Sequence, residues 1–167
     1  MAVNNQPIAM LAERLMAENL TLVTAESCTG GLLAATLTAV PGSSNWFEGA
    51  FVTYRLSAKT RMVGVAPDLL QREGAVSEPT ARAMAEGALT HSDAGVSVAI
   101  TGVAGPDGGG PLTPVGDVWF GWAIRAPEPR CVQTARHRLP GDRDAVRARA
   151  VEVAIDGLLA LLGPGGR

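Results

Sequence analysis

A serine at a predicted strand-to-helix junction is the first residue whose position suits catalysis. Ser27 follows the short β-branched segment Leu20 to Thr24 and precedes a helix-like segment. A side chain at the carboxyl end of a strand lies beside the free amides of the following helix, which can bind a phosphate or an oxyanion. Thr29, Gly30 and Gly31 are therefore candidate substrate-binding residues. The alternative is that Ser27 or Thr29 only caps the helix.

A lysine further along the chain is the candidate base. Lys59 lies in Ser57 to Val63, which is predicted to start a short helix. A lysine can act as the base for a serine when burial or a nearby cation lowers its pKa, and Arg55 and Arg61 are candidate cations. Taken alone, the lysine is instead expected to be a solvated surface charge, because lysine is seldom buried.

A glycine-rich loop is the third candidate element. Residues Thr101 to Pro114 follow an apolar predicted strand, and Gly102 and Gly105 would permit close approach of the backbone to a ligand. The pattern fits neither a dinucleotide fingerprint nor a phosphate-binding P-loop, so the alternative is a flexible surface loop.

Arginines near the last predicted helix are candidate phosphate ligands. Arg143 follows Asp142 at the start of this helix, and a guanidinium can pair bidentately with phosphate oxygens. Arg147 and Arg149 could join it or form a solvated face. The alternative is that Asp142 caps the helix and Arg143 bridges to a neighbouring carboxylate.

Composition limits the classes of partner and compartment. The formal net charge of -2 gives no electrostatic reason to expect nucleic acid or an anionic membrane as a partner. No apolar run approaches the roughly 20 residues needed to cross a bilayer. The cysteines Cys28 and Cys131 form no cluster with histidine, and His91 and His137 lie in separate segments. We therefore expect a cytoplasmic protein with neither a metal nor another cofactor.

The order of predicted elements indicates the fold. With 167 residues and 47% hydrophobic content, the whole chain, residues 1–167, is expected to form a single domain. Strands alternating with helices predict a three-layer α/β/α fold, with a mostly parallel, mixed central sheet of about five strands. The predicted helices span residues 8–18, 32–40, 57–63, 67–71, 79–89 and 142–162, and the predicted strands span residues 20–24, 47–54, 96–100, 118–124 and 131–138.

Several sequence blocks occur in the order typical of one known family. They are TAESCTGG at 24–31, Val52 to Tyr54 with Lys59, GAVSE at 74–78, ITGVAGP at 100–106, Pro114 to Gly116 with Val118 to Gly121, and Gly141 to Arg143. Together these blocks resemble the CinA C-terminal family from about Leu11 to Leu162. The resemblance implies a single amide hydrolase domain that works without a metal.

The resemblance also implies a reaction and roles for individual residues. The family hydrolyses the carboxamide of nicotinamide mononucleotide to nicotinic acid mononucleotide and ammonia. Ser27 would be the nucleophile and Lys59 the base, with Tyr54 and Thr101 in the same site. Backbone amides near Cys28 or Gly30 would hold the oxyanion. The expected partners are a small-molecule nucleotide substrate and further copies of the same chain.

Two other functions are compatible with these residues. One is a catalytically silent binding module for a nucleotide or a protein, and the other is an amidase that uses Cys28. Leu56, Thr113 and Asp117 depart from the family pattern near the expected ligand loop, which bears on substrate identity more than on the fold. Asp107 and Asp117 would repel a phosphate if they faced it.

Overall fold

The computed structural model describes residues 5–164, and in this part of the chain five strands are flanked by helices on both faces. The helices are α1 Gln6–Ala17, α2 Leu32–Thr38, α3 Leu56–Val63, α4 Pro67–Glu73, α5 Glu78–Thr90 and α6 Arg143–Leu162. The strands are β1 Leu22–Glu26, β2 Phe47–Val52, β3 Val96–Gly102, β4 Asp117–Ile124 and β5 Arg130–Arg138. A single 3-10 turn, Ser43–Asn45, precedes β2.

The sheet has the strand order β2-β1-β3-β4-β5. β1 pairs in parallel with β2 and β3, whereas β4 is antiparallel to both β3 and β5. Four strands therefore run in one direction and β4 alone runs against them. The predicted mixed, mostly parallel sheet of five strands is confirmed. The carboxyl ends of β1, β2 and β3 consequently meet at one edge, together with the start of β4.

Alternating side chains of the central strands supply two separate cores. Val96, Val98 and Ile100 of β3 pack in the core that α1, α2 and α6 cover. Ala99 faces the opposite core, which α3, α4 and α5 cover. This period of two lets one buried strand serve both helical layers, and it confirms the predicted three-layer arrangement.

Each predicted helix and strand is present, with ends that differ by a few residues. The difference that affects the site is in β1, which was predicted to end at Thr24 but continues to Glu26. Backbone pairing of Glu26 with Val52 and Ile100 on the two neighbouring strands extends it. Ser77 caps α5 by accepting a hydrogen bond from the amide of Thr80.

Residues 5–164 contain no helix that combines the length and the apolar character needed to cross a membrane.

Candidate active site

Ser27 lies immediately after β1, at the edge where the parallel strands end. Its amide donates to the carbonyl of Ile100 on β3 at 2.9 Å, so the sheet fixes its backbone. The Ser27 side chain is buried but lies close to the surface, with 8% of the residue exposed. The predicted strand-to-helix position of this serine is therefore present in the fold.

Lys59 lies on α3 and its side chain extends inward to Ser27. Its Nζ is 2.9 Å from Ser27 Oγ, 2.7 Å from the carbonyl oxygen of Thr53 and 3.3 Å from that of Tyr54. Only 1% of the residue is exposed, so Lys59 is not the solvated surface charge expected of an isolated lysine. The structure thus brings the candidate nucleophile and base into direct contact.

Burial lowers the pKa of Lys59 from its ordinary value of 10.5 to about 8, with a smaller opposing effect from Cys28. The charged form loses hydration in the interior, and only neutral oxygen atoms replace the water. Arg55 and Arg61, the candidate cations of the sequence analysis, are exposed and do not cause this shift. A substantial fraction of this lysine is therefore neutral near physiological pH.

The three partners of Lys59 determine where its lone pair points once the group is neutral. Carbonyl oxygens can only accept hydrogen bonds, so Thr53 and Tyr54 take the two N–H groups of the neutral amine. The third direction faces Ser27, whose hydroxyl can then donate to Nζ across the same 2.9 Å contact. This arrangement can remove a proton from the serine as its oxygen attacks an electrophile.

Glu26, the residue before the serine, satisfies the backbone amides at the start of α2. Its carboxylate accepts from the amides of Gly31 at 3.2 Å, and of Leu33 and Ala34 at 3.0 Å each. The hydroxyl of Thr29 donates to the same carboxylate at 2.8 Å. An internal carboxylate therefore already engages the Gly31 amide, and the role of Gly31 in substrate binding stays a prediction.

The turn between Ser27 and α2 leaves two amides available. The Gly30 amide donates to the carbonyl of Ser27 at 3.0 Å, so the predicted Gly30 contact with an oxyanion is not available. Within residues 5–164, the amides of Cys28 and Thr29 donate to no oxygen atom. Gly30 and Gly31 adopt positive φ angles of 57° and 97°, which glycine tolerates and which this turn requires. Gly30 and Gly31 therefore set the path of the backbone in this turn, and their own amides are already hydrogen-bonded.

Arg143 bridges two segments at the mouth of the site. Its Nη1 donates to the carbonyl of Gly105 at 2.7 Å, and its Nη2 donates to the hydroxyl of Tyr54 at 3.0 Å. The structure thus brings together three residues that the sequence analysis had assigned to the site. Within residues 5–164 Arg143 pairs with no carboxylate, whereas Asp142 does cap α6 by accepting from the amide of Ala145 at 2.9 Å.

Thr101 and Gly102 have structural contacts that the sequence did not indicate. The Thr101 hydroxyl donates to the carbonyl of Ala75 at 2.6 Å, and so it is not directed at Lys59. A Cβ on Gly102 would lie 2.7 to 2.9 Å from atoms of Asp117 and Val118, so this glycine permits the close approach of β4. The Thr101 hydroxyl oxygen can still accept a hydrogen bond, so the place of Thr101 in the site stays a prediction.

Arg147 is a site residue that the sequence analysis left undecided. Its Nη2 donates to the carbonyl of Thr29 at 3.0 Å, on the turn that follows Ser27. Its Nε is buried and has no hydrogen-bond partner among residues 5–164. The spacing of four residues from Arg143 places both guanidinium groups on one face of α6, and this periodicity was the available signal.

The thiol next to the candidate nucleophile remains protonated at neutral pH. Burial raises the pKa of Cys28 to about 11. The thiol's own backbone amide and the cations Lys59, Arg147 and Arg143 act in the opposite direction, with smaller effects. Because the thiolate is the nucleophilic form of cysteine, this environment disfavours the alternative amidase that uses Cys28.

Three residues depart from the family pattern, and each lies in a different environment. Asp117 is buried and pairs with Arg136 through two contacts of 2.9 and 3.0 Å, so its charge is neutralised within the protein. Leu56 is the exposed first residue of α3. The carbonyl of Thr113 accepts from the amide of Gly110 at 3.0 Å within the glycine-rich loop. In the described part of the chain, no three histidine, cysteine or acidic side chains are grouped to hold a metal ion.

Comparisons with known proteins give consistent results. The chain is 48% identical over 151 residues to nicotinamide-nucleotide amidohydrolase PncC of Pseudomonas putida, and covers 92% of that protein. It is 51% identical over 145 residues to a CinA-like protein of Akkermansia muciniphila, but spans only 34% of that longer protein. Both alignments include most of the present chain, at 90% and 87%.

Solved structures of related proteins have the same fold. A CinA superfamily protein from Klebsiella pneumoniae superimposes with a TM-score of 0.89 at 38% identity, covering 96% of this chain and 98% of the other. A CinA superfamily protein from Escherichia coli gives a TM-score of 0.88 at 41% identity, with coverages of 96% and 94%. The family model described as the CinA C-terminal domain matches residues 4–162. The chain therefore belongs to the CinA C-terminal domain family.

Proposed function

We propose that this protein hydrolyses the carboxamide of nicotinamide mononucleotide to nicotinic acid mononucleotide and ammonia, with Ser27 as nucleophile and Lys59 as base. The observation that carries this proposal is the buried contact of 2.9 Å between Lys59 Nζ and Ser27 Oγ. The similarity to the nicotinamide-nucleotide amidohydrolase of Pseudomonas putida supports the choice of substrate.

The first half of the reaction forms an ester with the enzyme. Ser27 Oγ attacks the carboxamide carbon while its proton moves to Lys59 Nζ. The amides of Cys28 and Thr29 are the donors that remain for the oxyanion of the tetrahedral intermediate. Collapse of the intermediate breaks the C–N bond, and Lys59 gives its proton to the departing nitrogen, which leaves as ammonia.

The second half of the reaction returns the enzyme to its starting state. A water molecule attacks the ester carbon and gives a proton to Lys59, and the same two amides hold the second oxyanion. Collapse breaks the bond between this carbon and Ser27 Oγ, and the serine regains its proton from Lys59. The carboxylic acid product ionises and leaves as nicotinic acid mononucleotide.

Arginine side chains at the mouth are the proposed ligands of the substrate phosphate. Arg143 keeps free donor hydrogens beyond those used by Gly105 and Tyr54, since a guanidinium carries five. The buried, unpartnered Nε of Arg147 lies on the same face of α6. The first amides of α2 already donate to Glu26 and are not free to bind the phosphate. The arginines are therefore its proposed ligands.

The direct test is ammonia release from nicotinamide mononucleotide, compared with its riboside and its dinucleotide. We expect turnover of the mononucleotide that Ser27→Ala abolishes while the fold survives. Binding of the mononucleotide by the wild-type protein without ammonia release would instead support the silent binding module. Activity on none of the three compounds, without binding, would remove the proposed substrate.

We also propose that residues 1–167 form one domain, which acts in the cytoplasm as a homo-oligomer. The two buried cysteines are unpaired in the structure, which suits a reducing compartment. Light scattering of the purified protein in dilute buffer measures the number of copies directly, and a monomer mass would exclude the oligomer.

A further inference from the structure

We propose that Glu26 is a positioning residue, whose buried carboxylate holds the turn behind Ser27 so that only the amides of Cys28 and Thr29 face the reacting carbon. This inference rests on the proposed amide hydrolysis and adds to it a residue that does not itself touch the substrate. The proposal is argued from the hydrogen bonds that surround the fully buried carboxylate of Glu26.

Both oxygens of the Glu26 carboxylate act only as acceptors. Oε1 accepts from Thr29, Gly31 and Leu33, at 2.8, 3.2 and 3.0 Å. Oε2 accepts from the Ala34 amide at 3.0 Å and from the Thr24 hydroxyl at 3.3 Å. Three of these five donors are backbone N–H groups, which cannot reverse their direction. These backbone donors therefore require an acceptor at each of the two carboxylate oxygens.

These contacts connect the end of β1 to the first turn of α2 across the segment that bears the nucleophile. Glu26 is itself held by the strand pairings with Val52 and Ile100, so its position is set by the sheet. The carboxylate transfers that rigidity to the turn and engages the Gly31 amide, which would otherwise be available to an anion. Arg147 holds the same turn from the α6 side through the Thr29 carbonyl.

Preorganised donors stabilise an oxyanion only if they are held where the charge develops. A displacement of about 1 Å in such a site can cost roughly a hundredfold in rate. A residue that acts by positioning should therefore lower kcat and change KM little, whereas a residue needed only for folding should lower the amount of competent protein and leave the turnover per competent site unchanged.

The test compares Glu26→Gln with Glu48→Gln, which changes the same residue type at an exposed position on neighbouring β2. Competent sites are counted by covalent labelling of Ser27 with a fluorophosphonate, read by mass spectrometry. We expect Glu26→Gln to lose about tenfold to a hundredfold in kcat per labelled site, with KM within about threefold of wild type. Glu48→Gln should match the wild type. An unchanged kcat per labelled site in Glu26→Gln would overturn the positioning role.

A second pair of variants covers the case in which Glu26→Gln does not fold. Thr29→Val keeps the shape of the side chain but removes the 2.8 Å bond to Glu26, whereas Thr29→Ser keeps the hydroxyl. We expect Thr29→Val to lose about threefold to tenfold in kcat per labelled site and Thr29→Ser to lose less, because only the serine keeps a hydroxyl that can donate to the carboxylate. Equal losses in both variants would contradict the proposal.

The labelling rate separates this inference from the proposed function. The fluorophosphonate needs the serine and the oxyanion donors but not a nucleotide. If the wild type labels Ser27 but releases no ammonia from the mononucleotide, the proposed substrate fails, and a slower labelling rate in Glu26→Gln would still support the inference. If the wild type neither labels nor releases ammonia, both proposals fail.

Discussion

Arg143 donates from Nη2 to the hydroxyl of Tyr54 at 3.0 Å, and this bond joins the start of α6 to the segment just before α3. The backbone carbonyl of the same tyrosine accepts from Lys59. One residue therefore connects the candidate phosphate ligand at the mouth of the site to the candidate base inside it, through its side chain and its main chain respectively.

Replacing Arg143 should affect the mononucleotide more than the riboside. Arg143→Ala removes a charge-assisted contact with the phosphate, which we expect to weaken mononucleotide use by about 1.5 to 3 kcal/mol, or about tenfold to a hundredfold. Arg149→Ala, at an exposed position on the same helix, is the matched control. The measurement is kcat/KM on both compounds. Equal losses on mononucleotide and riboside would mean that Arg143 supports the fold through Gly105 and does not bind the phosphate.

Ser27→Ala and Cys28→Ala should have opposite effects on amide hydrolysis. The first removes the attacking oxygen and should reduce ammonia release to background. The second removes a thiol that burial keeps protonated at neutral pH, because burial raises its pKa to about 11, and should retain most activity. Ammonia release by the two purified variants checks this, with thermal melting to confirm folding. An active Ser27→Ala and an inactive Cys28→Ala would assign the reaction to the cysteine.

Lys59→Arg should be inactive although it keeps a positive charge. A guanidinium remains protonated at any usable pH and so cannot take the serine proton. The expected loss of kcat is at least about a hundredfold, within the range assigned to general base catalysis. Lys59→Met serves as the uncharged control of similar length. Wild-type turnover by either variant would exclude Lys59 as the base.

The pH profile should report the state of Lys59. The neutral amine is the active form, and burial lowers the pKa of this group to about 8, so kcat/KM should rise as the pH increases towards 8 and level off above it. An unperturbed lysine would place the same rise near pH 10.5. Initial rates between about pH 6 and about 9.5, with the folded state checked at each pH, make the comparison. A rate that is independent of pH over this range would contradict the assignment.

Thr101→Val should lower stability more than turnover. The valine cannot donate to the Ala75 carbonyl, which the threonine contacts at 2.6 Å, and loss of this partly buried hydrogen bond costs about 1 kcal/mol. We expect a lower melting temperature and a kcat per labelled site within about threefold of wild type. Thr101→Ser restores the hydroxyl and should recover part of the stability. A large loss of kcat in a stable Thr101→Val protein would mean that Thr101 takes part in catalysis.

The order of helices and strands could be predicted because their patterns are local. The apolar character of residues 96–100 predicted β3, and the helical pattern of residues 79–89 predicted α5. The end of β1 could not be predicted in the same way. Glu26 looks like a turn residue by its polarity, and only the donors supplied by residues later in the chain make its burial in a strand possible.

The residues of the site were harder to assign than the elements that carry them. Lys59 has no local signal for burial, because its acceptors are two backbone carbonyls and a side chain from another strand end. Thr101 matched the family pattern, but its sequence position did not reveal that its hydroxyl bonds to Ala75. Contacts between distant segments decide such roles, and spacing along the chain does not encode them.

The nucleophile and its base both come from one continuous stretch of chain, β1 through α3, whereas Arg143 and Gly105 come from the second half. A genetic crossover within α5 would therefore transfer an intact Ser27–Lys59 pair to a new partner half in a single event. Recombination between related genes can change the recognition of the nucleotide without breaking the bond between these two side chains. Under the proposed mechanism, the residues that recognise the substrate can change between family members while the segment that carries Ser27 and Lys59 is inherited unchanged.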